Sequence, residues 1–337
     1  MTGDKDKVTL AHGAGGRLSQ ELMEEVILPA FGNPLLNELH DGAVVPLSGQ
    51  AAFTTDSYVV QPLFFAGGNI GKLAVCGTVN DLAMTGAVPR YLSAGVIIEE
   101  GFPIRDLREI VATMRQMADE AGVFIVTGDT KVVEKGKADG IFINTAGIGD
   151  IIPGTHISPK NVRPGMKVLL SGYLGDHAAA ILAGRHGLSL PEHVKTDCAP
   201  LCHLTKAMLE AAPDIAVLRD PTRGGLAAVL NEIAEASDCG ILIDEEALPI
   251  HEEVQGVCDM LGFDPLYLAN EGKCVAFVPA DEAEKVLAVM KANPYGKDAC
   301  IIGEATAEAK GQVGLRTAIG GIRVVDMPLG NIVPRIC

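Results

Sequence analysis

Hydrophobic and polar residues alternate along the first half of the chain in blocks whose periods predict strands and helices in turn. Apolar blocks with strand character occupy residues 51–60, 90–98, 123–127 and 140–148. Helical spacing of apolar residues marks 18–31, 70–84 and 104–121, and the second of these is interrupted at Asn80 and Asp81. This order predicts a mixed α/β or α+β domain.

The second half repeats this layout after residues 152–165, a segment with three prolines and two glycines that predicts a domain boundary. Helices are predicted at 176–186, 201–211, 250–261 and 281–292, and one more ends at Ala236. Strands are predicted at 166–171, 240–244, 274–278 and near 299–303, 312–316 and 321–326. A chain of 337 residues accommodates two such domains.

The net charge of the chain argues against two classes of binding partner. The formal net charge is −16, which argues against non-specific binding to nucleic acid or to an anionic membrane surface. The polar N-terminus does not have the apolar core of a signal peptide, and no apolar run is long enough to span a membrane. Eight scattered cysteines fit the reduced thiols of a cytoplasmic protein, and Cys198, Cys202 and His203 leave zinc as an alternative.

Glycines near the N-terminus predict an anion-binding turn. His12, Gly13, Gly15 and Gly16 precede Arg17 and a predicted helix, and free N–H groups at a helix N-terminus attract phosphate. No Gly-Lys-Ser/Thr follows, so the turn is not a P-loop. A plain glycine-rich turn is the alternative.

Four aspartates in the first half carry the hypothesis of a metal site. Each lies at the predicted end of an apolar element, and carboxylates there can hold Mg²⁺ ions that in turn hold polyphosphate. For each of these aspartates, a structural role as a helix cap or a turn residue is the alternative. The four are Asp41, Asp56, Asp81 and Asp129.

Two further residues could act on a transferring phosphoryl group or on a proton. Lys131 lies in a predicted loop after the strand at 123–127 and could stabilise developing negative charge. Glu271 precedes a buried-looking strand and could be a general base. A solvated lysine and a turn carboxylate are the alternatives.

The tail, residues 327–337, ends in a thiol. Pro328 and Pro334 favour extended backbone, and eleven extended residues reach about 36 Å. An arm of this kind can carry an acyl-like group on Cys337 between active sites, whereas a frayed terminus is the alternative.

Several motifs together resemble the HypE family of hydrogenase maturation proteins, in the superfamily of aminoimidazole ribonucleotide synthetase and selenophosphate synthetase. The resemblance covers essentially the whole chain, and the terminal Pro334-Arg335-Ile336-Cys337 distinguishes this family from the rest of the superfamily. The superfamily often has an acidic pair where this chain has His40-Asp41, which leaves Asp41 as the carboxylate. The other motifs are Ala11-His12-Gly13-Ala14-Gly15-Gly16, Thr54-Thr55-Asp56-Ser57-Tyr58-Val59, Gly67-Gly68-Asn69-Ile70-Gly71-Lys72-Leu73, Asn80-Asp81, Thr127-Gly128-Asp129-Thr130-Lys131-Val132-Val133, Arg219-Asp220, Thr222-Arg223-Gly224-Gly225 and Asn270-Glu271-Gly272-Lys273.

The resemblance implies a two-domain PurM-like fold of mixed α/β class. It implies a Gly-rich segment and helix at 1–40, an ATP-binding domain at 41–152, a C-terminal α/β sandwich at 160–326 and a mobile tail at 327–337. Independently of the resemblance, several apolar strands in a half with few helices to cover both faces of a sheet predict that the N-terminal mixed sheet of residues 41–150 forms the interface of a homodimer.

The activity implied is ATP-dependent dehydration of an S-carboxamide on Cys337 to an S-cyanide. The carbamoyltransferase HypF would load the thiol, and a HypC–HypD scaffold would take the cyanide for the iron of [NiFe] hydrogenase. The resemblance implies that Cys337, Lys131 and Glu271 are catalytic, and that Asp41, Asp56, Asp81 and Asp129 hold Mg²⁺. ATP would contact His12, Gly13, Gly15, Gly16, Asn80, Asp81, Thr130 and Asp220.

Two other functions stay open at this point. Another ATP-using synthase or kinase of the superfamily would have no need of a terminal cysteine. A selenophosphate synthetase needs a reactive residue near its N-terminus, whereas the first cysteine here is Cys76. A non-enzymatic scaffold with a docking tail is the second alternative.

Overall fold

The computed structural model describes residues 6–13, 17–38, 43–330 and 333–337. Two β-sheets organise it, one in each half of the chain, and helices pack against both. This arrangement confirms the predicted mixed α/β two-domain fold. Among the described residues, no helix is long and apolar enough to cross a bilayer.

The N-terminal sheet has four strands in the order β1-β6-β4-β5. Strand β4 pairs antiparallel with β6 and parallel with β5, and β6 pairs antiparallel with β1. The order places β1 and β5 at opposite edges. The strands are β1 Ala51–Tyr58, β4 Ala87–Glu99, β5 Phe124–Val133 and β6 Ile141–Ile151, and a short hairpin of β2 Phe64–Phe65 and β3 Gly68–Asn69 lies between β1 and β4 in sequence.

Two helices cover one face of this sheet. The first, α3 (Ile70–Met84), is capped by Asn69, whose side chain accepts hydrogen bonds from the N–H groups of Gly71 and Lys72. The amphipathic helix α4 (Ile104–Ala121) ends at Gly122 in the left-handed conformation. Among the described residues, Phe53, Ile97 and Phe124 are exposed on the other face, which we call the open face.

A helical segment precedes the sheet. It consists of α1 (Arg17–Leu22), a π-helical stretch over Met23–Ile27, and α2 (Leu28–Phe31). Its buried residues Leu22, Val26 and Phe31 join the same core as α3 and α4. This confirms the helix predicted over 18–31.

The second sheet has seven strands in the order β13-β12-β9-β11-β7-β10-β8, and β12 pairs parallel with β9 whereas the other pairs are antiparallel. Helices pack on it through two clusters of buried aliphatic residues. The strands are β7 Lys167–Leu170, β8 Val217–Arg219, β9 Gly240–Asp244, β10 Val275–Val278, β11 Cys300–Thr306, β12 Val313–Arg316 and β13 Ile322–Val324, and the helices are α5 Asp176–His186, α6 Cys202–Ala211, α7 Gly225–Ser237, α8 Glu252–Leu261 and α9 Ala283–Lys291.

Three local predictions are wrong. Strand β5 continues through Val133 because it pairs along its length with β4, so Asp129 and Lys131 lie in a strand and not in a loop. Helix α3 is not interrupted at Asn80 and Asp81. Asp56, Asp81 and Asp129 therefore lie inside elements and not at their ends, while Asp41 is outside the described residues.

Candidate active site between the two domains

The tail runs back into the molecule and places Cys337 between the two domains. The carbonyl oxygen of Cys337 accepts a hydrogen bond from Val59 N–H at 3.1 Å, and that of Arg335 accepts one from Gln61 N–H at 3.1 Å. Val333 and Ile336 are buried against the core. The thiol thus sits at the end of β1, close to Asp56.

Glu271 faces this thiol. Its side chain is 3% exposed, and among the described residues its Oε1 atom has no hydrogen-bond partner. Burial raises the pKa of Glu271 well above its usual range, and nearby acidic groups raise it further. Burial also raises the pKa of the Cys337 thiol, the Glu271 carboxylate adds to this rise, and the positive charge of Arg223 opposes it.

Backbone contacts fix the position of Glu271. The N–H groups of Glu271 and Gly272 donate to the two carboxylate oxygens of Asp197 at 3.1 and 3.3 Å. Asn270 accepts from Gly175 N–H at 2.7 Å and donates to the carbonyl of Pro221. A Cβ atom at Gly272 would lie 1.9 Å from the carbonyl oxygen of Asp197, so only glycine fits there.

Three aspartates lie near one another beside this pair. Thr54 Oγ1 donates to Asp81 Oδ2 at 2.8 Å. Burial raises the pKa of Asp81, and Asp56 raises it further. Burial and then the charge of Asp81 raise the pKa of Asp220 to about 7. The cluster therefore holds more negative charge than its surroundings compensate, although Arg219 opposes the effect.

This excess charge fits a divalent cation. Mg²⁺ in nucleotide sites uses one or two carboxylates and completes its shell with phosphate oxygens and water. Asp56, Asp81 and Asp220 can supply those carboxylates. Within the described parts of the chain, no three acidic, His or Cys side chains converge on one metal position, so phosphate would have to provide the remaining ligands.

Asp129 and Lys131 lie on β5, at the opposite edge of the N-terminal sheet from β1. They form a 2.7 Å ion pair on the open face of β5, with about two-thirds of each side chain exposed. Asp129 lies opposite Gly95, Gly95 opposite Asn144, and Asn144 opposite Ser57 in β1. Three strand spacings put β5 about 14 Å from β1.

This separation keeps two of the predicted metal ligands apart within one chain. Asp56 and Asp129 cannot bind the same ion, because metal–oxygen distances are near 2 Å. Lys131 lies on the same edge strand as Asp129, opposite Ile97 of β4. The roles predicted for Asp129 and Lys131 stay predictions.

The predicted anion-binding turn belongs to the β5 side as well. A Cβ atom at Gly13 would lie 2.8 Å from the backbone nitrogen of Val132. His12 Nδ1 accepts from Thr9 N–H at 3.0 Å. Gly15 and Gly16 are outside the described residues.

A cavity of about 200 Å³ lies between the helical segment and β5. Its walls are mostly aliphatic and aromatic, from Met23, Ile27 and Phe31 on one side and Val96 and Ile125 on the other. Its lining also includes Asp129 and Thr130. A mostly apolar lining with a few polar groups is typical of small-molecule sites.

Asn80 joins the domains. Its amide nitrogen donates to the carbonyls of Ala199 and Glu271, and its oxygen accepts from Leu201 N–H at 2.8 Å. The side chain is 1% exposed. These three hydrogen bonds all join the Asn80 side chain to backbone groups. The predicted contact of Asn80 with a nucleotide stays a prediction.

Sequence reasoning missed the residues that hold the tail and Glu271. His177 and Arg185 donate to tail carbonyls, and Asp197 anchors the backbone of Glu271. Nothing in their local patterns marks them. Arg223 lies in a motif that the sequence does single out, but its nearness to Cys337 depends on the docked tail.

Comparison with known proteins defines the class first. Residues 39–151 match the model of the AIR synthase related protein N-terminal domain, and residues 163–316 match that of its C-terminal domain. The chain is thus a two-domain protein of the AIR synthase related class.

Full-length relatives define the family. The chain is 53% identical over 335 residues to carbamoyl dehydratase HypE of Rhodobacter capsulatus, covering 98% of each. It superposes with a TM-score of 0.94 and 48% identity on a crystal structure of the hydrogenase maturation protein HypE in complex with ATP, covering 98% of this chain and 99% of that one. It also superposes with a TM-score of 0.80 and 51% identity on HypE from a HypE–HypF complex, covering 91% and 99%. The chain belongs to the HypE family, as the motifs predicted.

Proposed function

We propose that this chain is an ATP-dependent carbamoyl dehydratase that converts an S-carboxamide on its own Cys337 to an S-cyanide for hydrogenase maturation. The observation that carries the proposal is the terminal thiol held against a buried carboxyl group with an unpaired oxygen. Relatives named carbamoyl dehydratase and a relative crystallised with ATP support it.

The reaction balances without an oxidant or reductant. The carboxamide oxygen takes the γ-phosphoryl group of ATP and releases ADP. Both protons then leave the nitrogen, the carbon–oxygen bond breaks and phosphate departs, which leaves a nitrile on sulfur. Phosphorylation is needed because an amide oxygen is otherwise a poor leaving group.

Glu271 takes a proton from the nitrogen. Its side chain is next to the sulfur that carries the group, and burial raises its pKa, which makes its carboxylate a stronger base. The hydrogen bonds from Glu271 and Gly272 to Asp197 hold its backbone during the reaction. Arg223 lies on the same side as the thiol and can balance negative charge there.

Asp56 and Asp81 would hold Mg²⁺ with ATP, and Asp220 supports them. Burial raises the pKa values of Asp81 and Asp220, and neighbouring carboxylates raise them further, which is the observation that favours a cation there. Bound Mg²⁺ would neutralise phosphate charge that this acidic protein otherwise repels. Asp41 keeps its predicted role as a further ligand, outside the described residues.

A second copy of the chain would complete the site. The open face of the N-terminal sheet exposes Phe53, Ile97 and Phe124 at 73%, 43% and 54%, and apolar exposure of this kind marks an interface. Pairing through this face would place the edge strand β5 of one copy, which carries Asp129 and Lys131, beside the edge strand β1 of the other, which carries Asp56. Lys131 would then stabilise the charge on the transferring phosphoryl group.

The four-part division of the chain stays a proposal with the roles predicted above. The segment 1–40 and the domain 41–152 would hold ATP, the domain 160–326 would supply Glu271, and the tail 327–337 would carry the reacting group. HypF would load Cys337, as the crystallised complex of a relative with HypF suggests. The HypC–HypD scaffold would accept the cyanide.

The test is ATP turnover that depends on the terminal thiol. With a HypF carbamoyl-donor system, the chain should release about one phosphate per carbamoyl group delivered. Cys337→Ser should abolish this release, whereas Cys300→Ser, a half-buried cysteine of β11, should not. Equal phosphate release from the Cys337→Ser variant would refute the proposal.

A further inference from the structure

Backbone carbonyl groups of the docked tail accept hydrogen bonds from both sides. Val59 and Gln61, which follow the end of β1, donate to the carbonyls of Cys337 and Arg335, and the Arg335 side chain donates to Val59 O at 2.9 Å and pairs with Asp139. On the other side of the tail, helix α5 supplies Arg185 to the carbonyl of Arg335 and His177 to the carbonyl of Ile336. We call this set of contacts the tail clasp.

His177 is the buried member of the tail clasp. It is 0% exposed, its Nε2 lies 2.8 Å from the Ile336 carbonyl oxygen, and its Nδ1 lies 2.8 Å from Thr196 Oγ1. A carbonyl oxygen only accepts, so Nε2 carries the hydrogen and donates. Burial lowers the pKa of His177 and so favours the neutral ring, in which Nδ1 accepts from the Thr196 hydroxyl.

The Thr196 hydroxyl connects His177 to the segment that holds Glu271. Thr196 Oγ1 also accepts from Cys198 N–H at 3.1 Å. Between these two residues, Asp197 accepts the N–H groups of Glu271 and Gly272. One three-residue segment therefore contacts the tail-binding histidine on one side and the backbone of Glu271 on the other.

We propose that His177 is a positioning residue that holds the docked tail and, through Thr196, couples docking to the placement of Glu271. The bond from Nε2–H to the Ile336 carbonyl forms only when the tail is docked. A hydrogen bond of this kind favours the docked state by up to about tenfold. Docking thus favours the arrangement in which Glu271 faces the thiol. The coupling between docking and the placement of Glu271 rests on the proposed dehydration.

A pair of amide variants tests the tail clasp. The nitrogen of Gln at position 177 can occupy the place of Nε2, whereas Asn reaches only as far as Nδ1. We expect His177→Asn to speed alkylation of Cys337 by iodoacetamide about tenfold and His177→Gln to stay near wild type. Peptide mass spectrometry measures the rate. Cys274, which is 0% exposed, reports global unfolding in the same samples and should not change.

Equal Cys337 rates in the two variants, with Cys274 unchanged, would overturn the tail clasp. Thr196→Val tests the coupling, because it keeps the shape and removes the hydroxyl. We expect kcat for dehydration to fall about tenfold with the KM for ATP unchanged, and an unchanged kcat would overturn the coupling. The alkylation experiment contains no ATP and no carbamoyl donor, so its outcome is independent of whether the proposed dehydration occurs.

Discussion

Asp220→Asn should make the protein more stable at alkaline pH while impairing its ATP chemistry. Folding raises the pKa of this carboxyl from 3.8 to about 7 through burial and the charge of Asp81. Its carboxylate is therefore unfavourable in the folded state. Below about pH 4 this carboxyl is protonated in both states and does not change the free energy of unfolding. Between about pH 4 and 7 it lowers that free energy as the pH rises, because the folded state binds the proton more tightly.

The pKa change sets a ceiling of about 4 kcal/mol on this loss of stability, at about 1.4 kcal/mol for each pH unit. Asp220 retains partial contact with solvent, so we expect about half, ~2 kcal/mol. With an unfolding entropy of about 2.1 cal/mol/K per residue, this raises the midpoint of thermal unfolding by about 3 °C.

Thermal unfolding of the variant and the wild type at pH 4 and pH 8 measures the effect. The midpoints should coincide at pH 4 and differ at pH 8. The exposed Asp214→Asn is the matched control and should show no such difference. A midpoint that falls at pH 8 in the Asp220→Asn variant would refute the reasoning that this cluster is electrostatically strained without its cation.

Three further outcomes are expected. Asp81→Asn keeps the shape of a helical residue and removes a carboxylate, so ATP turnover should fall at least about 100-fold with the fold intact by circular dichroism; wild-type turnover would remove Asp81 from the site. Lys131→Ala and Glu271→Gln should each be inactive in dehydration. When the two variants are dissociated, mixed and re-equilibrated, the mixture should regain roughly a quarter of the activity, because heterodimers contain one intact site. No recovery would place both residues in one chain's site. One Ala appended after Cys337 leaves the thiol in place but adds a residue at the tip, so dehydration should slow by about 10²-fold; a normal rate would show that the terminus itself is not recognised.

The sequence alone predicts the helices well. The bounds of α3, α4 and α5 coincide with their predicted ranges. Their signals are local: Asn69 caps α3, α4 has a strong apolar stripe, and glycines end α4 and α5. The apolar run predicts that strand β5 ends at Thr127, because Gly128, Asp129 and Lys131 interrupt the run, whereas pairing with β4 extends the strand to Val133.

The geometry of the site depends on long-range pairing that no local pattern records. The strand order puts the predicted ligands Asp56 and Asp129 at opposite edges of one sheet, even though both follow similar apolar runs. The contacts of the tail with Val59, His177 and Arg185 join residues more than a hundred positions apart. Family motifs identify Glu271 and Cys337 individually, and the folded chain brings them face to face.

The mass of the C-terminal peptide tests the central claim most directly. After incubation with a HypF carbamoyl-donor system and ATP, wild type should first gain about 43 Da on Cys337 and then lose about 18 Da as the carboxamide becomes a nitrile. Glu271→Gln should keep the first mass because it retains the thiol and lacks the base. A wild-type peptide that stops at the carbamoyl mass in the presence of ATP, or a Glu271→Gln peptide that loses the 18 Da at the normal rate, would contradict the account.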